Sequence, residues 1–131
     1  MTNIHKNRIQ MLVNKLRTTR EPQGQEFLKD ENGTMCVLGF ACDLYKQETG
    51  KGRWVDNDAA YAFAIGGIEN EDILPKEVAA WYGFPAGNPE VIAYSKEMTL
   101  PVAELNDSGW SFKSIATAIE KTYLKPKKAK K

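Results

Sequence analysis

Residues 105–120, Leu-Asn-Asp-Ser-Gly-Trp-Ser-Phe-Lys-Ser-Ile-Ala-Thr-Ala-Ile-Glu, constrain the fold of this chain more than any other stretch. Leu105 to Ser108 read as the end of one helix, Gly109 as a tight turn and Ser111 as the cap of a second helix. Phe112, Ile115, Ala116 and Ile119 recur at helical spacing, and Tyr123 continues that apolar face one turn later. The arrangement is also the opening of a helix-turn-helix, and Lys125 to Lys131 follow where a base-reading helix would have to stand. The stretch therefore sets two readings against each other: a nucleic-acid binder or an ordinary packed helical hairpin.

The rest of the chain divides legibly. Asn3 is placed to cap a helix over residues 3–19, with Ile9, Leu12, Val13 and Leu16 on its buried side and Pro22 and Gly24 beyond its end. Phe27-Leu28 and Thr34-Met35 flank Asp30-Glu31-Asn32-Gly33, which predicts a short hairpin on an Asn-Gly turn. A second helix runs from Met35 to Thr49 and is closed by Gly50. Its first half is apolar nearly all round, as a central buried helix should be. Gly39 in its interior costs roughly 1 kcal/mol of helix propensity, so a neighbour is expected to pack close against the backbone there.

Arg53-Trp54-Val55 reads as a short strand. Tyr61, Phe63 and Ile65 alternate with alanines, which suits a strand ended by Gly66-Gly67, and a helical reading of the same run competes with it. Leu74-Pro75 opens a third helix with Val78, Trp81 and Tyr82 inward, Gly83 as its cap and Pro85 blocking continuation. Residues 85–97 read as a loop with Val91 and Ile92 turned inward, and Thr99 as the cap of a short helix over 100–107. The expected fold is α+β but predominantly α-helical. It is one compact domain over residues 1–124 with about five helices and a small antiparallel sheet or hairpin, followed by a flexible basic tail over 125–131.

Composition and charge limit the function classes. The 42% hydrophobic and 27% charged content is that of a soluble globular protein. No apolar run approaches the roughly 18–20 residues of a membrane span. The start of the chain lacks the apolar core of a signal peptide. Cys36 and Cys42 lie inside an apolar segment, which fits a reducing cytoplasm better than a disulfide framework. Five basic residues and no acid lie in residues 1–20, and five lysines lie in the last seven. Eight Lys and Arg then face all 17 acids in residues 21–124, a formal charge of −9. Such a body is a poor nucleic-acid surface unless its two basic ends converge on one face.

Candidate chemistry is sparse. Cys36 and Cys42, six residues apart, would sit about 120° around a helix and about 9 Å along it, too far for one zinc. Their expected role is core packing. His5 is the single histidine. Asp56-Asn57-Asp58 begins like a calcium loop, but Ala60 and Tyr61 stand where a ligand and the turn glycine belong. Gly50-Lys51-Gly52-Arg53 lacks the spacing of a phosphate cradle. No catalytic residue, metal or cofactor is expected.

Trp54, Trp81, Tyr82, Phe84 and Trp110 lie at element ends or in loops. Of these, Trp54, Trp81, Phe84 and Trp110 are the candidates for an exposed contact surface with a protein partner. A second reading is a nucleic-acid-associated protein using Lys113, Lys121, Lys125, Lys127, Lys128, Lys130 and Lys131. A third is an enzyme or small-ligand binder with a pocket beside Cys36.

Three segments carry a resemblance: Cys36-Val-Leu-Gly-Phe-Ala-Cys-Asp-Leu-Tyr45, Leu74-Pro-Lys-Glu-Val-Ala-Ala-Trp-Tyr-Gly83, and Leu105-Asn-Asp-Ser-Gly109 through Ile115-Ala-Thr-Ala-Ile-Glu120. In that order the chain resembles a group of small, functionally uncharacterised proteins of phage genomes and bacteria. The likeness covers about residues 34–122. It implies a common fold and a phage or prophage origin, carries over no catalytic residue and leaves out the basic tail. The functional expectation is a small intracellular, non-enzymatic binding protein, with no membrane association, that contacts a host protein.

Overall fold

The computed structural model describes residues 5–95 and 98–124. The expected Asn3 cap and Lys125, Lys127, Lys128, Lys130 and Lys131 lie outside the described residues. The elements run α1 (Lys6–Thr18), β1 (Lys29–Asp30), α2 (Val37–Thr49), β2 (Arg53–Asp56), β3 (Ala60–Ile65), β4 (Ile68–Asn70), α3 (Lys76–Tyr82), β5 (Glu90–Ser95), β6 (Met98–Pro101), α4 (Val102–Asp107) and α5 (Phe112–Ile119). One π-helical turn, Glu120–Leu124, continues α5.

Helix α2 is central because its sequence leaves no polar side to face water over its first half. Val37, Leu38, Phe40, Ala41 and Cys42 are all buried, and Gly50 closes the helix with φ 74°. Gly39 has the neighbour that its cost implies. A Cβ built there would overlap the carbonyl oxygen of Leu28. Leu28 immediately precedes β1, and Cys36 donates its N–H to that same carbonyl. The missing side chain thus lets the β1 hairpin lie directly on the helix backbone. The hairpin itself turns on Asp30, whose carboxylate accepts from the N–H groups of Asn32 and Thr34.

Helix α1 buries Ile9, Leu12, Val13 and Leu16 as its spacing predicts. It packs along α5, which buries Phe112, Ile115, Ala116 and Ile119 and is capped by Ser111 accepting from Ser114 N–H. A salt bridge of 3.0 Å between Arg17 and Glu120 ties the two helices together at the surface.

The fold is not predominantly helical. Helix accounts for 44% and strand for 21%, in two antiparallel sheets of four and two strands among the described residues, so the architecture is mixed α+β. The Ala-rich run is the strand β3, pairing with β2 on one edge and with β1 and β4 on the other. Gly66 and Gly67 do more than end it. With φ 59° and 83° they form the two-residue turn into β4, a turn that requires positive φ at both positions. The expected loop over 85–97 holds β5, and Thr99 is a strand residue of β6 rather than a cap. Val91, Ile92 and Tyr94 are β-branched or aromatic, and such residues favour the pleated half-buried surface formed here. Pro101 takes the capping position of α4, which begins at Val102.

Replacing Gly39 with Ala drives a methyl into backbone that cannot move aside as a side chain would. Overpacking of this kind costs about 1–3 kcal/mol. Gly39→Ala is therefore expected to lower the urea midpoint clearly, despite alanine's better helix propensity. A midpoint at or above that of the parent would contradict the packing described.

Candidate functional site

The turn between α4 and α5 works as an internal clasp. Asn106 is 1% exposed, the one buried polar or charged side chain among the described residues. Its Nδ2 donates to the Gly24 carbonyl at 2.7 Å, while Oδ1 accepts from Gln23 Nε2 at 3.0 Å and from the Val37 N–H at 3.2 Å. Val37 is the first residue of α2, and Cys36 offers that helix no side-chain cap. Asn106 supplies a cap from another helix. Asp107 accepts from the N–H of Glu26, a non-glycine residue held at φ 73°. The Trp110 carbonyl accepts from Gln23 Nε2 at 2.7 Å. The stretch that opens like a DNA-reading motif is occupied by contacts within the chain.

The basic residues fare similarly. Three of the five cations in residues 1–20 are engaged by other residues of the chain. Arg8 lies over the Trp81 ring and donates to its carbonyl at 2.7 Å. Lys15 lies over Phe40, and Arg17 pairs with Glu120. Lys113 and Lys121 are exposed on the outer side of α5 and its π turn.

Three of the four candidate contact rings belong to one continuous chain of aromatic contacts. It runs Trp54–Phe63–Tyr45–Trp81–Tyr82–Phe84–Tyr123, each ring within 4.9–6.3 Å of the next. Within it Trp54 Nε1 donates to Asp43 and the Tyr82 hydroxyl donates to the Ala41 carbonyl. Phe84 is 4% exposed, so the expectation of a free surface ring is corrected there. Phe84 follows the Gly83 turn directly, and its stacking on Tyr82 carries it into the core. Trp54 and Trp81 are half-buried. Trp110 stands apart, half-buried against Tyr94.

A cleft lies beside Phe84 of that aromatic chain. It has a volume of about 740 Å³ and separates β4 from α3 and residues 84–87. Leu74, Ala79 and Phe84 form its buried floor, and Ile68 and Ile73 stand on its wall at 66% and 40% exposure. His5, Lys76 and Glu77 also line it. A 2.9 Å hydrogen bond from Leu74 N–H to the Gly87 carbonyl holds the two rims together. Sequence reasoning passed over Ile68 and Ile73. The available signal was branched aliphatic residues on either side of the polar run Glu69-Asn70-Glu71-Asp72, where burial is hard to arrange.

Cys36 does not line this cleft. Its thiol is 5% exposed, and burial pushes it up to about 11, with backbone N–H groups of Gly39 and Leu38 opposing. Burial pushes Cys42 up as well. Thiolate is the reactive form, so neither sulfur is activated at neutral pH. Among the described residues no group of three or more His, Cys, Asp or Glu side chains is placed to hold a metal ion. No helix among them is long and apolar enough to cross a membrane.

Fold and site together define a small α+β domain with an open, apolar-walled cleft. A family model described as Domain of unknown function (DUF8296) matches residues 5–123, and the chain belongs to that family. No curated protein and no solved structure matches the chain.

The buried thiol gives a pH dependence of definite sign. Folding holds the Cys36 proton more tightly than the unfolded chain does, from an ordinary 9.0 up to about 11. Its contribution is complete below the lower value and is lost as pH rises through the higher one. Urea midpoints measured from pH 8 to 11 should therefore fall more steeply for the parent than for Cys36→Ala, with the difference opening above about pH 9. Parallel curves would show that this thiol is not held protonated by the fold.

Proposed function

We propose that this chain is a non-enzymatic binding protein that acts by contact with another protein, through the cleft between β4 and α3. The carrying observation is the pair Ile68 and Ile73, held in water at 66% and 40% exposure beside a buried apolar floor. Large exposed apolar side chains grouped beside a concave surface are a feature of interaction sites. The aromatic chain beneath supports the role by stiffening one wall, since Phe84 lines the cleft and stacks on Tyr82. Trp54 and Trp81 then act through the rigidity of that wall, and Trp110 with Tyr94 forms a separate smaller patch.

Thiol catalysis is disfavoured by the burial of both cysteines. In the proposed role the partner is a host protein met in the cytoplasm, in keeping with the resemblance to small phage and bacterial proteins.

A photo-crosslinking amino acid at Ile73, compared with one at the exposed Thr117 on α5, tests the reading in cells. A discrete adduct is expected from position 73 and not from 117. Ile68→Asp should weaken binding of the trapped protein about tenfold or more, equivalent to about 1.4 kcal/mol. The urea midpoint should be unchanged, because Ile68 lies mostly in solvent. Equal adducts from both positions, or undiminished binding by the variant, would sink the assignment.

A further inference from the structure

His5 stands where two surfaces meet. It lines the cleft between β4 and α3, and with Lys6, Asn7 and Arg8 it lines a second hollow at the start of α1. The His5 N–H donates to the Tyr82 carbonyl at 3.0 Å, which pins that turn to the end of α3. One end of the cleft therefore runs on into a surface carrying Lys6 and Arg8, and residues 1–20 contain no acid. Arg8 is held by the ring and carbonyl of Trp81 and keeps its charge there. At the opposite end of α3, Lys76 and Glu77 offset each other. In a chain whose residues 21–124 carry a formal charge of −9, the His5 end of the cleft is locally positive.

The cleft also has room for a large side chain. Ala79, Ala80 and Ala86 offer it only methyl groups, and Gly87 offers none. A Cβ at Gly87 would overlap the Leu74 carbonyl oxygen. The glycine thus lets the loop close on residues 73–74 without filling the space beside Ile73.

We propose that the cleft takes an acidic-apolar segment of the partner protein. A large apolar side chain enters between Ile68, Ile73 and the alanines, and a carboxylate next to it lies against Lys6 at the start of α1. The proposal deepens the binding role given above and rests on it. Charge sets the sign of the segment, and rim charges of this kind govern selectivity and association rate more than affinity. Exposure sets its class. Ile68 and Ile73 are 66% and 40% exposed, so a bound lipid chain would be left in water along that wall, whereas a folded partner brings its own cover. A nucleic acid meets apolar walls here, where it needs a row of cations.

A displayed library of random peptides, selected on the immobilised full chain, tests this without presupposing a partner. Selected peptides are expected to place Asp or Glu beside a Leu, Phe or Trp. The tightest of them, made synthetically, should shift the amide signals of Lys6, Ile73 and Ala80 in the full chain. Lys6→Glu should weaken that peptide about fivefold in about 20 mM salt, and by much less in about 500 mM. Its urea midpoint should not fall, because Lys6 is exposed. Lysine in place of the peptide's acid should restore binding to Lys6→Glu, a charge swap that a merely structural effect would not produce. Failure to enrich any peptide, enrichment of basic or uncharged ones, shifts confined to other surfaces, or unchanged affinity of Lys6→Glu overturns the proposal. So does a single-stranded oligonucleotide that displaces the peptide from Ile73. Peptides without acids that still shift Ile73, in a chain whose position 73 crosslinks a protein, would leave the binding role standing and remove the charge preference alone.

Discussion

The side chain of Asn106 holds together parts of the chain that have no other reason to meet. It reaches the first N–H of α2, the carbonyl of Gly24 and the amide of Gln23 from one buried position. A buried amide is costly when its groups lack partners, at about 1–3 kcal/mol for each one left unsatisfied. Here the partners come from two segments, residues 23–24 and the start of α2, so the amide is satisfied only when both are in place. That coupling fixes the segment before β1 against α4 and sets where α2 begins. The start of α2 in turn fixes Gly39 under Leu28.

From that point the fold propagates by close contact. With β1 laid on the backbone of α2, its pairing with Ala60 and Tyr61 places β3 beside the helix. Phe63 then meets Tyr45 of α2 and Trp54 of β2. The glycine turn after β3 sends β4 back along the same edge as β1. Beyond β4 the chain passes through Ile73 and Leu74 into α3, whose Trp81 and Tyr82 join the same aromatic chain. The cleft is the space left between a strand that turned back early and a helix pinned from the other side. Its wall is apolar because the segment crossing from sheet to helix carries Ile68, Ile73 and Leu74.

Much of this was legible in the residues themselves. The spacing in α1 and α5, the Ser111 cap, the Gly50 and Gly83 terminators and the tight contact at Gly39 follow from local rules of period and sterics. The small strands were not. β4 has three residues and β6 four, lengths at which alternation carries little information. Thr99 satisfied the rule for a helix cap but is paired with Ile92 across a hairpin, a tertiary outcome that no local signal encodes. The cleft was illegible for a related reason. Its floor is made by Phe84, a ring placed in a loop by its sequence and in the core by Tyr82. Its wall is made by isoleucines whose exposure depends on a hairpin that composition alone did not fix.

Electrostatics limits what the described basic residues offer to a phosphate backbone. Helix α1, with its cations, packs along α5 and the π turn. Yet Arg17 is neutralised by Glu120, and Arg8 and Lys15 lie over rings. A cation held over an aromatic face by a carbonyl or by packing cannot reach a phosphate without giving up that contact. Lys6, Arg20, Lys113 and Lys121 are the exposed cations among the described residues of these segments, and salt-dependent affinity is built on several such phosphate contacts. The α4–α5 turn is closed to the same purpose by Asn106 and Asp107, whose polar atoms are taken by Gly24, Gln23, Val37 and Glu26. A motif that begins like a reader of bases is, in this chain, the lock of its own fold.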